Sequence, residues 1–134
     1  MSSTPKFSVL MSLYIREHAD YAQACFESLL AQTVPADEWV IVEDGKLTPE
    51  LYELLDSYQR LYPELIKRVP LSQNGGLGPA LAIGLQKCSY DLVARMDTDD
   101  IAEPTRFARQ LAQFREQSNL DICGTWITEF EGEP

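Results

Sequence analysis

Leu92-Val93-Ala94-Arg95-Met96-Asp97-Thr98-Asp99-Asp100 is the stretch that decides the fold. Its first half is mostly apolar, as in a strand that is covered on both faces of a parallel sheet. Its second half places three carboxylates within four positions. Such a cluster needs a metal ion, a cationic partner or abundant water, because like charges at this density repel one another. Taken alone, the motif also fits a solvated acidic turn, so the rest of the chain must decide.

Short apolar segments alternate with helical patterns along all 134 residues. Strands are predicted at 7–13, 39–42, 66–71, 92–96 and 122–127. Helices are predicted to end near residue 32, to begin at residue 49, to run from 79 to 87 and to begin near 103. This alternation predicts one α/β domain, 1–134, with three α/β/α layers and an open, mostly parallel sheet. Lys67, Arg68 and Pro70 place the third strand near an edge of that sheet.

The first two predicted helices each carry apolar residues at spacings of three and four. In the first helix these are Tyr21, Ala22, Cys25, Phe26, Leu29 and Leu30, and in the second Leu51, Leu54, Leu55, Tyr58 and Leu61. The pattern predicts that each helix packs one apolar face on the sheet.

Polar and aromatic side chains follow several strands at the point where each strand ends. Tyr14 follows the first strand, Asp44 the second and Asp97 to Asp100 the fourth. Ligands of open α/β sheets bind outside the carboxyl ends of the strands, so these residues predict one acidic pocket. The turn at 74–79 (Asn-Gly-Gly-Leu-Gly-Pro) opens a helix there, either to let backbone N–H groups approach an anion or to make a tight turn.

Charge and composition limit the function and the location that we expect. A net charge of −10 argues against a nucleic-acid-binding protein. An anionic substrate remains compatible with this charge if a divalent cation is bound. The three cysteines lie far apart without metal-ligand spacing, which indicates a reducing compartment. The sequence has neither a membrane-spanning segment nor a signal peptide, so a cytoplasmic location is expected.

The acidic motif suits some chemistries better than others. A calcium-binding EF-hand loop that begins at Asp97 would need other residues than Ile101, Ala102 and Ala108 at its fifth, sixth and twelfth positions. Asp97 and Asp99 are spaced so that both can reach one Mg²⁺ or Mn²⁺ that bridges a diphosphate. Asp44 could then accept a hydrogen bond from a nucleotide base, and a nucleotidyltransferase could use the same acids.

The order of motifs resembles the family 2 glycosyltransferases with the GT-A fold. It is most similar to bacterial enzymes that build exopolysaccharide of the amylovoran type, capsule or lipopolysaccharide. The matching pieces are FSVLMSLY from residue 7, ESLLAQT from 27, VEDG from 42, NGGLG from 74 with AIGL from 82, ARMDTDDI from 94 and ICGTW from 122.

The resemblance implies a role for each candidate residue. Asp44 would recognise the base and Tyr14 would pack on it, while Asp97 and Asp99 would form the D-x-D motif that holds ribose and metal. Asp100 would contact the ligand or support its loop. Arg95 would point into the donor pocket or pair with a neighbouring acid. The donor would be a nucleoside-diphosphate sugar, foremost a UDP-sugar, and the acceptor a glycan or lipid-linked glycan.

Inverting members of this family carry a catalytic Asp or Glu well after the region that this chain covers. The acids in the last part of this chain (Glu116, Asp121, Glu129, Glu131 and Glu133) match no such motif. We therefore expect no catalytic residue in this chain, which would be the N-terminal, nucleotide-sugar-binding part of a longer enzyme and inactive alone. Any association with the inner face of the cell membrane would come only through the remaining part of that longer enzyme. A catalytically incomplete binding module is the alternative.

Overall fold

The computed structural model describes residues 6–116, which form four strands and four helices. In chain order these are β1 (Phe7–Leu13), α1 (Ala19–Leu30), β2 (Glu38–Glu43), α2 (Pro49–Leu61), β3 (Ile66–Pro70), α3 (Leu77–Lys87), β4 (Leu92–Arg95) and α4 (Arg106–Glu116). Within residues 6–116, no helix has both the length and the apolar character that crossing a membrane requires.

All strand pairs of the described sheet are parallel, and the strand order is β3-β2-β1-β4. β1 lies between β2 and β4, so Leu13 ends beside Glu43 and the carboxyl ends of β1, β2 and β4 meet at one edge. β3 is at the side of the sheet, as its basic residues and proline predicted. The predicted fifth strand, 122–127, lies outside the described residues.

Alternation along β1 divides the interior into two apolar layers. Phe7, Val9, Met11 and Leu13 contribute to a large core with α1, α2 and α4, and Phe7 meets Phe107 of α4 edge to face at 5.1 Å. Leu10 points the other way and packs with Val40, Val42, Val69 and Val93 against α3. Helices therefore cover both faces of the sheet, which confirms the predicted three-layer α/β/α arrangement.

Several predicted details of the helices were wrong. α1 ends at Leu30 rather than near 32, and α3 begins at Leu77, two residues before the predicted start. Tyr21 was predicted to face the core but is 57 % exposed, and its ring lies against the imidazole of His18, an exposed residue that directly precedes α1. Leu61 is 70 % exposed, because it is the last residue of α2 and lies beyond the end of the buried face.

A buried carboxylate closes the opposite, amino-terminal edge of the sheet. Glu38 accepts hydrogen bonds from the Ser8 hydroxyl and from the N–H and hydroxyl of Ser89, at 2.7–2.8 Å, and pairs with Lys67 at 3.2 Å. Burial by itself would raise the pKa of Glu38, but these donors outweigh it and hold the pKa below its usual value of 4.5. The network stabilises the ionised form of Glu38 far from the candidate site.

Candidate functional site

A cleft of about 400 Å³ opens at the edge of the sheet where the carboxyl ends of β1, β2 and β4 meet. Its walls come from the end of β1, from the loops that follow these strands, and from the glycine-rich turn with the first residue of α3. The lining residues are Ser12, Tyr14, Glu17, Asp44, Asn74, Gly76, Leu77, Asp97, Thr98 and Asp99. The topology thus brings together segments that are up to 87 positions apart in the sequence. The predicted acidic pocket exists at the predicted edge.

Asp44 is fixed by the glycine-rich turn. Its two carboxylate oxygens accept hydrogen bonds from the backbone N–H groups of Gly75 and Gly76, at 2.8 and 3.1 Å. Gly45, with a φ of 85°, lets the chain pass directly under Asn74, and a Cβ there would lie 2.7 Å from the Asn74 nitrogen. The turn therefore does bring N–H groups to an anion, but that anion is the protein's own side chain.

Asp44 keeps acceptor capacity for a ligand. Only 3 % of the residue is exposed, but it lines the cleft. A carboxylate has about four lone-pair positions, and the two glycine N–H groups occupy two of them. Asp44 can therefore accept at least one further hydrogen bond, with its orientation already set.

The acids after β4 form a compact cluster. One carboxylate oxygen from each of Asp97, Asp99 and Asp100 lies within 4.8 Å of the other two. A turn shapes the loop, because the Asp100 N–H donates to the Asp97 carbonyl at 3.1 Å. Burial raises the pKa of Asp100, and the charges of Asp97 and Asp99 raise it further. Hard carboxylate oxygens at this separation fit a divalent cation such as Mg²⁺ or Mn²⁺.

Arg95 pairs with one of these acids. Its Nη2 lies 3.1 Å from Asp97 Oδ1, and its side chain is 13 % exposed. It is not among the cleft-lining residues, so the structure favours the neighbouring-acid alternative over a direct position in the donor pocket. Arg106, at the start of α4, approaches the Met96 sulfur at 3.2 Å and opposes the rise in the pKa of Asp100. Two guanidinium groups thus partly neutralise the cluster.

Glu17 is a cleft residue that the sequence predictions missed. Its Oε1 accepts a hydrogen bond of 3.1 Å from the hydroxyl of Thr98, the residue between Asp97 and Asp99. Burial raises the pKa of Glu17, and the charges of Asp99 and Asp97 add to this, although the Thr98 hydrogen bond opposes them. The available signal was its place just after β1, at the same edge as the other acids.

The structure brings most of the predicted site residues to one place. Tyr14, Asp44, Asp97 and Asp99 line the same cleft, and Tyr14 is 40 % exposed there, with its ring accessible. Asp100 contributes to the acidic cluster without lining the cleft. The individual roles predicted for these residues remain predictions.

The chain matches the model of the family described as "Glycosyl transferase family 2" over residues 8–134. It is 50 % identical over 125 residues to an uncharacterized glycosyltransferase of Haemophilus influenzae, covering 93 % of this chain and 46 % of that protein. It is also 41 % identical over 131 residues to the UDP-Gal:alpha-D-GlcNAc-diphosphoundecaprenol beta-1,3-galactosyltransferase of Escherichia coli, covering 98 % of this chain and 47 % of that protein. The chain thus spans about half the length of these relatives.

Among solved structures, S. aureus TarS 1-349 in complex with UDP-GlcNAc is similar to this chain. The TM-score is 0.71 at 26 % identity, over 84 % of this chain and 32 % of that one. The parallel sheet and this likeness confirm the predicted GT-A fold. Because the family model matches nearly the whole sequence, the chain belongs to glycosyl transferase family 2.

Proposed function

We propose that this chain is the donor-binding part of a glycosyltransferase and binds a nucleoside-diphosphate sugar, foremost a UDP-sugar, together with Mg²⁺ or Mn²⁺. One observation carries the proposal: a single cleft joins an oriented carboxylate, an accessible tyrosine ring and the paired acids of a D-x-D motif. The negative charge of the cleft supports the proposal that a metal ion binds together with the donor. Four carboxylates line the cleft, those of Glu17, Asp44, Asp97 and Asp99, and a diphosphate would be repelled there without a divalent cation.

Each residue has a part in this proposal. Asp97 and Asp99 hold the metal and the ribose. The bound metal would supply Lewis-acid stabilisation of the leaving diphosphate. Asp44 accepts a hydrogen bond from a base N–H, and Tyr14 packs on the base. Arg95 acts on the donor site by orienting and partly neutralising Asp97, and Asp100 supports the loop at the edge of the metal site.

For the whole protein we propose inverting glycosyl transfer in bacterial surface polysaccharide synthesis. The E. coli relative is named for transfer to a diphosphoundecaprenol-linked sugar, which favours a lipid-linked glycan as acceptor here. The residue that deprotonates the acceptor would lie outside this 134-residue chain, which would be the N-terminal part of the enzyme. The reaction would then take place in the cytoplasm, at the inner face of the membrane.

Titration calorimetry of this chain with UDP tests the donor-binding proposal. We expect binding with Mn²⁺ or Mg²⁺, and at least a ten-fold loss of affinity in EDTA, because the metal offsets the carboxylates of the cleft. GDP and ADP serve as controls, because Asp44 and Tyr14 would act on the base. Equal UDP affinity with and without metal would overturn the metal-dependent proposal.

A further inference from the structure

One face of α1, together with the turn that follows it, lies along the segment that carries the acidic cluster. Three side chains approach the backbone of residues 97–107: those of Cys25 and Ser28 in α1, and that of Gln32 just after it. The Cys25 thiol lies 3.6 Å from the Asp97 carbonyl. The Ser28 hydroxyl accepts a 3.0 Å hydrogen bond from the Ala102 N–H and donates to the Cys25 carbonyl at 2.7 Å. Contacts from α1 and from the turn after it thus reach this segment at successive points.

Gln32 makes the densest set of these contacts. Its Nε2 donates to the Glu103 carbonyl at 2.6 Å, and its Oε1 accepts from the Phe107 N–H at 3.1 Å. The residue is only 6 % exposed, so both ends of the amide are paired away from bulk water. Beside it the Thr33 N–H donates to the Pro104 carbonyl at 2.9 Å. One side chain therefore fixes the chain between the acidic cluster and the first turn of α4.

The segment has an evident need for such support. Between the end of β4 at Arg95 and the start of α4 at Arg106 the chain forms no helix or strand, so the hydrogen bonds of regular structure do not hold it. Its three carboxylates repel one another within 4.8 Å. A site that keeps such groups together before the metal arrives depends on the groups that orient its ligands.

We propose that Ser28 and Gln32 are positioning residues for the metal ligands Asp97 and Asp99. They hold residues 97–107 in the arrangement that lets both carboxylates reach one cation, although neither side chain touches that cation. This inference rests on the proposed function, since it assigns to Ser28 and Gln32 a role in the affinity of the metal site. A merely structural brace would change the stability of the fold and leave the metal affinity of the folded protein unchanged.

Ser28 offers the sharpest test, because a conservative variant restores its hydroxyl. Ser28→Ala removes the acceptor of the Ala102 N–H, and Ser28→Thr keeps it. Gln32→Ala removes both contacts of the amide. Ser8→Ala is the matched control: it deletes a buried hydroxyl that donates to Glu38 at 2.8 Å, at the opposite edge of the sheet. Any general effect of losing a hydrogen bond in the core should appear in Ser8→Ala as well.

The measurement is the affinity of the protein for Mn²⁺ at one fixed UDP concentration, detected by electron paramagnetic resonance and corrected for the Mn²⁺ that free UDP binds. Thermal melting measures folding. We expect Ser28→Ala and Gln32→Ala to weaken Mn²⁺ binding about ten-fold, the size of effect typical of residues that orient metal ligands. Ser28→Thr should restore wild-type affinity, and Ser8→Ala should leave it unchanged while lowering the melting temperature. Should Gln32→Ala fail to fold, the Ser28 pair decides.

Two results would overturn the positioning role while leaving the proposed function intact. One is wild-type Mn²⁺ affinity in folded Ser28→Ala and Gln32→Ala. The other is an equal loss in Ser8→Ala, which would show that affinity merely follows stability. Absence of Mn²⁺ and UDP binding by the wild-type chain is a different outcome, and it would overturn both the proposed function and the positioning role.

Discussion

Gly45→Ala would add a methyl group where the chain has no room for one. Gly45 has a φ of 85°, and for residues other than glycine a left-handed conformation costs about 1–2 kcal/mol. The new Cβ would also lie 2.7 Å from the backbone nitrogen of Asn74, so the glycine-rich turn must move away to reach an ordinary contact. That movement stretches the hydrogen bonds that Gly75 and Gly76 donate to Asp44, which adds about 1–2 kcal/mol.

We therefore expect Gly45→Ala to lower the free energy of unfolding by about 2–4 kcal/mol, measured by urea denaturation. Because Asp44 would lose its fixed orientation, UDP affinity at saturating Mn²⁺ should fall about ten-fold as well. Gly78→Ala is the control, since a Cβ there meets nothing within 4 Å. A loss of less than about 1 kcal/mol in Gly45→Ala, with unchanged UDP affinity, would refute the claim that this turn holds Asp44.

Three further predictions concern other parts of the fold. Thr98→Val removes the hydroxyl that donates to Glu17 and should cost about 1–2 kcal/mol in urea denaturation, whereas an unchanged midpoint would show that this hydrogen bond contributes nothing. The folded state holds the pKa of Glu38 below 4.5, so Glu38 stabilises the fold above that pH, and this contribution is lost as pH falls through the lowered pKa. In Glu38→Gln the unfolding free energy should lose that part of its acid dependence; an identical pH profile would contradict the assignment. In Gly84→Ala the new Cβ would lie 2.6 Å from the side chains of Leu10 and Val42. The resulting strain should exceed the stabilisation of about 1 kcal/mol that alanine gives a helix over glycine. Thermal melting should therefore show a lower melting temperature, and a higher one would contradict this.

The sheet could be predicted closely from the sequence because its strands carry local signals. β1 is an apolar run interrupted only by Ser8 and Ser12, and its bounds, Phe7–Leu13, are those predicted. β3 carries Lys67 and Arg68 within a weaker apolar pattern, as suits a strand at the side of the sheet. A strand that is buried along its length needs apolar residues at most of its positions, so the sequence pattern predicts its location correctly.

Residues whose environment is set by distant partners could not be predicted in this way. Glu17 contacts Thr98 across 81 positions, and Gln32 contacts the backbone of Phe107 across 75. Neither pairing leaves a periodic trace in the sequence, because each depends on how whole elements pack. Tyr21 shows the converse failure: its helical spacing is right, but its ring packs on His18 and stays largely exposed. Spacing predicts on which side of a helix a residue lies, but it cannot predict whether another element covers that residue.

The sequence could not decide between two interpretations of the glycine-rich turn. The sequence at 74–79 indicated either backbone N–H groups turned toward an anion or a tight turn. The structure combines the two, because the turn is tight and its N–H groups bind Asp44. Asp44 and the turn are separated by about thirty positions. Only the pairing of β3 beside β2 and the course of the chain from β3 into α3 bring them together.

The most direct test of the central claim is UDP affinity measured with and without Mn²⁺ in the wild type, Asp99→Asn and Asp91→Asn. Both variants remove one negative charge, but Asp91 is exposed beside the start of β4, at the other edge of the sheet. We predict that Mn²⁺ strengthens UDP binding at least ten-fold in the wild type and in Asp91→Asn, and has little effect in Asp99→Asn. An equal effect of Mn²⁺ in all three proteins would contradict the assignment of the metal to the D-x-D motif.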